Sequence, residues 1–453
     1  MTATTKATEI LQLIQQDRLS PASARLKLWL KKEPDNADAW HLMGVVHLHR
    51  EAFADAREAL ARAHRLQPGN PYILNNQAVA LLRLGRPNES VDAARKALAL
   101  ADADPGFWAN LGYAQQASRD FAAMAEAFEQ ASRRAPGDTE FTLGWATALR
   151  QQGDYAAART TLDKAEHPDL GIRLEHLVLA VLTGDSKAEQ QADRALGGHD
   201  LDAADALADA GCTGAALTRY RRHLERHPDD ATARYLAQAL EGRIAETNNI
   251  DYVEHLYDEA APRFEERLLG HLDYRGPRWL AEHLNHLGEP DLIWDLGCGT
   301  GLAGPVLKAE WPNATLVGVD LSDAMLALAQ KKRCYAALHH ASLNDGHFLD
   351  RLAPEHQQPD LVLLMDVLIY LPNATDWLRS LVDKLPGGCR VVITLEQGRH
   401  EQIQPQARIQ HDGDAIREAL LPNPCVLDEA GMIRLEKGRA VEGRWLILEK
   451  GGC

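Results

Sequence analysis

Cysteine is scarce in this chain, and the few cysteines are scattered. The 453 residues include six cysteines, none of them arranged as C-x-x-C, which argues against both a disulfide framework and a zinc site. Basic residues are also in deficit, because 49 lysines and arginines face 65 acidic residues and leave a net charge of −16. That balance argues against a protein that coats nucleic acid.

Long hydrophobic runs are missing as well. None approaches the length that spans a membrane, and residues 1–12 lack the basic start and apolar core of a signal peptide. We therefore expect a cytoplasmic protein without a membrane contact. The length predicts two to four domains, and contents of 45% hydrophobic and 25% charged residues are ordinary for a globular protein.

The first half of the chain repeats itself every 34 residues, most clearly over 37–166. Small residues recur where two helices would cross closely, and proline recurs where a helix would stop. The recurring positions are Trp40, Leu74 and Trp108; Gly44, Ala78, Gly112 and Ala146; Ala63, Ala97, Ala131 and Ala165; and Pro34, Pro68 and Pro136.

This pattern resembles the tetratricopeptide repeat (TPR), which has a period of 34 residues and two helices per repeat. Later helices depart from the period but still pair, and they are predicted over 170–183, 186–196, 202–210 and 214–226, with a capping helix over 231–242. We therefore predict an α solenoid over residues 1–242.

Such solenoids carry a concave groove that commonly holds a peptide, so the resemblance implies a protein or peptide partner. Asn76 and Asn110 share one register position, and an amide can donate to and accept from one peptide unit. Asn75 and Tyr113 belong to the same predicted groove. Two alternatives stay open: the asparagines satisfy local polar groups, or the array mediates self-association into a homo-oligomer.

Residues 243–290 are predicted to hold a linker and entry helices. The polar stretch 243–250, with Asn248-Asn249, marks the boundary. The segment after it resembles the lid of bacterial methyltransferases that are fused to TPRs. That resemblance implies that Tyr257 and Phe264 close over a cofactor and that Tyr274 and Arg275 lie near its carboxylate.

The last part of the chain, residues 291–453, alternates strands with helices. Strands are predicted over 292–295, 315–320, 337–340, 360–365 and 390–395, and a final hairpin over 432–436 and 444–449. This order predicts a doubly wound, mostly parallel α/β sheet.

The most informative stretch is 292–301, LIWDLGCGTG, in which an apolar run ends at Asp295 and meets alternating glycines. It predicts a buried strand that turns sharply into a helix, whose first N–H groups face an anion. A dinucleotide site would have glycine at the position of Leu302, so that spacing fails. An ordinary glycine turn is the other alternative.

The pattern Asp-x-Gly-x-Gly-x-Gly resembles the S-adenosylmethionine (SAM) loop of class I methyltransferases. The resemblance implies a Rossmann-like fold with a seven-stranded sheet, SAM as cofactor, and no metal. It places the cofactor's amino group at Asp295 and its methionyl part along Gly297, Cys298, Gly299 and Gly301.

Two further strand ends carry candidate cofactor contacts. Asp320 ends the second strand, 19 residues beyond Gly301, where a carboxylate accepts from both ribose hydroxyls. Leu321 and Met325 follow as adenine neighbours. The family usually has aspartate after the third strand, where this chain has Ser342-Leu343, which implies either a looser adenine contact or substitution by Asn344 or Asp345.

The remaining candidates follow the fourth and fifth strands. Met365 and Asp366 are expected beside the sulfonium, and Tyr370 is expected to border the acceptor. By resemblance to the TPR-fused family, Arg408 and His411 would also border the acceptor, where a histidine can take a proton.

The leading hypothesis is a SAM-dependent methyltransferase whose TPR groove recruits a protein or peptide for methylation of an amine. A second hypothesis is a small-molecule methyltransferase in which the repeats serve oligomerisation or scaffolding. A third is a non-enzymatic adaptor with a relic cofactor pocket, which the intact Asp295, glycines and Asp320 disfavour.

Overall fold

The computed structural model describes residues 3–50, 52–244, 250–265, 268–269, 272–345, 348–352, 358–404, 407–436 and 439–452. The stretch Asn248-Asn249, predicted as a linker, lies outside these ranges, as do residues 437–438. The chain divides into two compact units, Met1–Cys212 and Thr213–Cys453. The predicted domain boundaries at 242 and 290 stay predictions. Among the described helices, none combines the length and the hydropathy that crossing a membrane requires.

The first unit consists of helices. They are α1 (Ala3–Gln15), α2 (Leu19–Lys32), α3 (Ala37–His49), α4 (Phe53–Leu66), α5 (Pro71–Arg83), α6 (Pro87–Leu100), α7 (Pro105–Ala117), α8 (Phe121–Arg134), α9 (Thr139–Gln151), α10 (Tyr155–Leu162), α11 (Leu170–Thr183), α12 (Ser186–Leu196) and α13 (Asp200–Asp209). The helices α3, α5, α7 and α9 begin 34 residues apart, and so do α4, α6, α8 and α10. The predicted repeat is therefore confirmed.

A polar cap recurs with the same period and explains why these helices start where they do. The side chains of Asn36, Asn70, Asp104 and Asp138 each accept a hydrogen bond from a backbone N–H in the first turn that follows. Each cap stabilises its helix by about 1 kcal/mol. Within a repeat the helices cross closely, since a Cβ built on Gly112 would lie 2.8 Å from Cδ2 of Phe128.

The second unit begins with two more helices and continues into an α/β fold. Its helices are α14 (Thr213–Arg226), α15 (Ala231–Leu240), α16 (Ile250–Ala260), α17 (Gly276–Glu282), α18 (Ala303–Glu310), α19 (Asp323–Lys332), α20 (Phe348–Leu352), α21 (Ala374–Lys384) and α22 (Gly413–Ala419). Its strands are β1 (Leu292–Leu296), β2 (Thr315–Asp320), β3 (Ala337–His340), β4 (Leu361–Leu364), β5 (Arg390–Glu396), β6 (Gln402–Ile403), β7 (Ile409–Gln410), β8 (Cys425–Glu436) and β9 (Arg439–Glu449).

Seven strands form one sheet in the order β3-β2-β1-β4-β5-β9-β8, with β9 antiparallel to both of its neighbours. This confirms the predicted seven-stranded, mostly parallel sheet. Ile293 and Trp294 are successive residues of β1 but pack into different buried clusters, so the strand is covered on both faces. The order reverses between β1 and β4, which opens a crevice at their carboxyl ends.

Candidate functional site

A cavity occupies this crevice at the carboxyl ends of β1, β2 and β4. It encloses about 1130 Å³, a volume that includes open solvent at its mouth. Its wall is formed by the loop after β1, the ends of β2, β3 and β4, and residues of the segment 250–277. The predicted site residues can be placed against this wall one group at a time.

The glycine loop after β1 is tied to the neighbouring strand. The N–H groups of Gly297 and Cys298 both donate to the carbonyl of Val319, at 2.8 and 2.9 Å. Gly297 has φ +75°, and a Cβ built on it would overlap Cγ2 of Val367 and lie 3.2 Å from Cγ1. Gly297, Cys298 and Gly299 line the cavity, and their contact with a cofactor stays a prediction.

Gly301 was predicted to contact the ligand, but it is buried and is not among the lining residues. A Cβ built on it would lie 2.8 Å from the ring of Tyr335 and 3.1 Å from Cβ of Ala329. The glycine makes room for a side chain packed beneath the loop. The physical reason for the third glycine is therefore the packing of Tyr335 and not the close approach of a ligand.

Asp320 sits at the end of β2, as predicted. Its carboxylate accepts hydrogen bonds from the N–H groups of Gly299, at 2.8 Å, and Ser322, at 3.0 Å, and it lines the cavity together with Leu321. Burial raises the pKa of Asp320, an effect that these backbone hydrogen bonds oppose. Met325 differs from its prediction, because it packs fully buried in α19 and does not reach the lining.

Asp295 is 3% exposed and also faces the cavity. Burial raises its pKa to about 6, while a hydrogen bond from the hydroxyl of Tyr335 acts in the opposite direction. After β3, Ser342 and Leu343 line the cavity, and so does Asn344, whose N–H donates to the hydroxyl of Ser342 at 3.2 Å. The departure from the family's usual aspartate therefore leaves a hydroxyl and an amide at this wall.

The lid residues fall into two groups. Tyr257, Phe264 and Tyr274 line the cavity, and the rings of Tyr257 and Phe264 meet edge to face at 5.8 Å. Arg275 does not line it, because its side chain is half exposed and pairs with Asp273 at 3.6 Å. The lid helix α16 is held by Asp258, which accepts from the hydroxyl of Ser322 at 2.5 Å.

Met365, Asp366 and Tyr370 line the cavity where β4 ends. Asp366 has φ +59°, a strained backbone for a residue other than glycine. Arg434 of β8 holds its carboxylate with two hydrogen bonds of 2.9 and 3.0 Å. The same buried guanidinium also donates to Glu396. A buried charge network therefore supports this wall from behind.

Arg408 and His411 were expected to border the acceptor, but the structure places both behind the lining residues. Arg408 pairs with Glu436 at 2.6 Å, and burial raises the pKa of Tyr370 while the charge of Arg408 lowers it. His411 is 1% exposed, and its ring nitrogens contact the carbonyl of Leu368, at 2.8 Å, and Glu401, at 3.2 Å. The parallel bridge to Gln397 draws this segment into the fold.

One lining residue that the sequence analysis did not select is Thr300. It is 1% exposed, and its hydroxyl has no hydrogen-bond partner among the described residues. Its position between Gly299 and Gly301 was the available signal. An unpartnered buried hydroxyl facing a cavity is costly unless a ligand satisfies it.

Among the described residues of the cavity wall, the charged side chains are all acidic. Asp295, Asp320 and Asp366 line it, and within the described residues the lining contains no lysine, arginine or histidine. Tyrosine hydroxyls and aromatic rings supply much of the rest. Such a wall favours a ligand that carries positive charge.

The predicted groove residues lie within the helical unit. Asn75 is buried and accepts from the amide of Asn110 at 3.0 Å, while the amide of Asn76 contacts Nε2 of His41 at 2.9 Å. Tyr113 donates to Glu140 of the next repeat. Side chains of successive repeats are thus linked along this face, and peptide binding there stays a prediction.

Comparison with known proteins bears on both units. A family model described as a methyltransferase domain matches residues 294–391, and one described as a tetratricopeptide repeat matches residues 13–71, 53–106 and 109–170. The first covers the glycine loop and the strands that surround the cavity. The second covers the helices with the 34-residue period.

Curated relatives match part of the chain. A trans-aconitate 2-methyltransferase of Methylobacterium nodulans is 36% identical over 122 residues, which are 26% of this chain and 45% of that protein. One of Variovorax paradoxus is 30% identical over 146 residues, 30% of this chain and 54% of that protein. The chain thus spans about half the length of the curated relatives it matches.

Solved structures also resemble this chain. One described as the functional characterization of Pseudomonas aeruginosa pilF is 22% identical, with a TM-score of 0.39, and the match covers 43% of this chain and 89% of that one.

Proposed function

Because this chain is a tetratricopeptide-repeat protein that carries a methyltransferase domain, with SAM as methyl donor, we propose that it methylates an amine of a protein or peptide. The observation that carries this proposal is that the described lining residues include no lysine, arginine or histidine, and that Arg434 behind the wall is already paired with Asp366. A carboxylate acceptor would find no free cation in such a wall, whereas an amine needs none.

The lining residues fit the donor well. Asp295 and Asp320 offer buried carboxylates to an amino group and to ribose hydroxyls. Leu302 and Ala303 at the start of α18 line the cavity, and the N–H groups of a helix start suit a carboxylate. Arg275 lies outside the lining, so we assign that carboxylate to the helix start instead.

Bound SAM supplies an electrophilic methyl group and its own leaving group, so the protein's task is alignment and exclusion of water. Tyr257 and Phe264 cover the cavity from the lid, and their rings exclude water from the reacting atoms. Desolvation also favours the neutral form of an incoming amine, which is the form that attacks. These apolar groups therefore oppose the attraction of the carboxylates for the ammonium form.

Tyr370 is the lining residue that we assign to orientation of the acceptor. Burial raises the pKa of its hydroxyl, while Arg408 and Tyr257 beside it act in the opposite direction. It is therefore protonated at neutral pH and acts as a hydrogen-bonding group rather than a base. Arg408 acts through Tyr370, and His411 supports the turn at Leu368.

A small-molecule acid is the second candidate, because the curated relatives are named as trans-aconitate methyltransferases. Aconitate carries several carboxylates, and a site for it needs cations. The nearby Arg408 and Arg434 are already paired with Glu436, Glu396 and Asp366. For this reason we favour the amine.

The test supplies the full chain and methyl-labelled SAM to a cell lysate, with trans-aconitate added in a parallel reaction. We expect label in protein, stable to mild alkali as an N-methyl group is. Label in trans-aconitate, or in alkali-labile esters, would contradict the proposal. Mass spectrometry of the labelled peptide then identifies the modified atom.

The first quantitative prediction concerns Asp320. Asp320→Asn removes the charge that faces the ribose hydroxyls, and hydrogen bonds to a charged group are worth about 1.5–3 kcal/mol, so SAM affinity falls by about 30-fold. Isothermal titration calorimetry measures the SAM affinity of the parent and of each variant. Asp323→Asn is the matched control, because Asp323 is an exposed carboxylate at the start of α19 and its loss leaves affinity within about twofold. A D320N affinity within threefold of the parent would refute this role.

The second prediction concerns recruitment by the groove. We place the peptide at Asn76 and Asn110, whose amides stand one repeat apart on α5 and α7. Replacing both with alanine removes two peptide hydrogen bonds of about 1 kcal/mol each, which lowers kcat/KM for the labelled protein by about tenfold while SAM affinity stays unchanged. Asn88→Ala, an exposed position on α6, is the control. A change of less than twofold would favour the alternative that the repeats serve self-association.

A further inference from the structure

Tyr335 is a second-layer residue that neither the motif pattern nor the cavity wall identifies. It lies between α19 and β3, and its hydroxyl donates to Oδ2 of Asp295 at 2.6 Å. It is not one of the lining residues. It therefore contacts the candidate ligand-binding carboxylate from behind while Asp295 faces the cavity.

Three glycines create the slot in which the Tyr335 ring lies. A Cβ built on Gly301, Gly304 or Gly318 would lie 2.8, 3.0 or 3.0 Å from the ring. These glycines come from the loop after β1, from α18 and from β2, so three separate elements leave space for one side chain. The ring is consequently fixed in position, and its hydroxyl with it.

We propose that Tyr335 is a positioning residue that keeps the Asp295 carboxylate ionised and oriented toward the amino group of bound SAM. This inference rests on the proposed placement of that amino group at Asp295. The hydrogen bond is made to Oδ2, which leaves Oδ1 of the same carboxylate for the amino group. A charge-assisted bond of this length also stabilises the ionised form.

Several groups on the elements packed around Asp295 change its pKa. Burial raises its pKa most, Asp320 of β2 also raises it, and the Tyr335 hydrogen bond lowers it, with a result of about 6. Cys298 of the glycine loop and Tyr274 of the lid segment face it too. Without the hydroxyl of Tyr335, the pKa of Asp295 therefore rises above 6.

This gives binding of SAM a defined dependence on pH. The ammonium group binds the ionised carboxylate, so affinity falls as pH drops through the pKa of Asp295. For the natural chain the fall begins near pH 6. Loss of a hydrogen bond to a charged group moves this midpoint upward by about one to two pH units.

The experiment measures SAM affinity of the full chain and of Tyr335→Phe by calorimetry between pH 5.5 and pH 8.5. We expect Y335F to bind about eightfold more weakly at pH 6.5 and within about twofold at pH 8.5. Tyr235→Phe is the matched control, because it also removes a buried tyrosine hydrogen bond, 2.8 Å to the carbonyl of Ala407. Its binding curve should follow that of the parent.

Other outcomes show whether the role of Tyr335 or the assignment of Asp295 is wrong. A constant loss of affinity in Y335F at every pH would indicate a merely structural role and overturn the inference. A parent chain whose SAM affinity does not change through pH 6 would instead remove Asp295 as the amino-group site. If Y335F folds poorly, SAM affinity is compared between D295N and the double variant Asp295→Asn, Tyr335→Phe. Because the Asp295 charge is already absent in D295N, further loss of the Tyr335 hydroxyl should not weaken binding. An additional loss in the double variant would contradict the proposal.

Discussion

Substitution of Gly297 by alanine is expected to weaken SAM binding by at least about 100-fold, because the loop that faces the donor must move by about 1 Å. Gly297 has φ +75°, and its missing Cβ is where the side chain of Val367 lies. A left-handed alanine costs about 1–2 kcal/mol, and overlap in a packed site costs about 1–3 kcal/mol more. We expect the free energy of unfolding to fall by about 3 kcal/mol.

A control separates the backbone effect from the overlap. Gly388 has φ +86°, is exposed, and has no atom within 4 Å of its Cβ position. Gly388→Ala should therefore cost about 1 kcal/mol and leave SAM affinity unchanged. Urea unfolding and calorimetry measure both variants. If G297A and G388A lose equal amounts of stability and of SAM affinity, then the contact with Val367 is not the reason that the loop requires glycine at position 297.

Much of the fold could be predicted because its signals are local and periodic. The 34-residue repeat has a cap residue at a fixed place, as at Asn70 and Asp104, and even the aperiodic α11 begins and ends where predicted, at Leu170 and Thr183. The last two strands are longer than expected. Residues 425–431 of β8 mix polar and apolar types, so only pairing with β9 reveals them as a strand.

Within the site, residues at strand ends could be predicted and residues behind them could not. Asp295 and Asp320 reach the cavity because parallel strands end at one edge of the sheet. Tyr335 meets Asp295 only because three distant glycines leave a slot for its ring, and no local pattern encodes that meeting. The same holds for Arg434, which reaches Asp366 across 68 residues of sequence.

Arg408 and His411 illustrate the opposite error. In sequence they lie in a polar stretch after β5 that resembles an open loop. In the structure the short strands β6 and β7 pair, and β7 leads into a bridge beside Gln397. Backbone pairing thus buries His411 against the turn at Leu368 and leaves Arg408 partly buried in its ion pair with Glu436.

Arg434→Met is expected to destabilise the protein by about 3–5 kcal/mol at neutral pH, because it leaves the carboxylates of Asp366 and Glu396 without their shared cation. Arg434 is 2% exposed and donates to both. Burial raises the pKa of Glu396, and without the guanidinium that effect is opposed less, so its folded-state pKa stays above the unfolded value. Stability of the variant therefore falls as pH rises above about 4, and its deficit is larger at pH 8 than at pH 5.

Two further variants isolate the charge. In the double variant Arg434→Met, Glu396→Gln, one buried carboxylate is neutralised, so part of the lost stability returns and the deficit depends less on pH. Arg390→Met removes a more exposed pair, with Glu449 at 3.1 Å, and should cost about 1 kcal/mol or less at either pH. Urea unfolding at pH 5 and pH 8 measures all three. R434M and R390M could instead lose equal free energy of unfolding at both pH values. In that case Arg434 stabilises the wall behind Asp366 by packing and not by its charge.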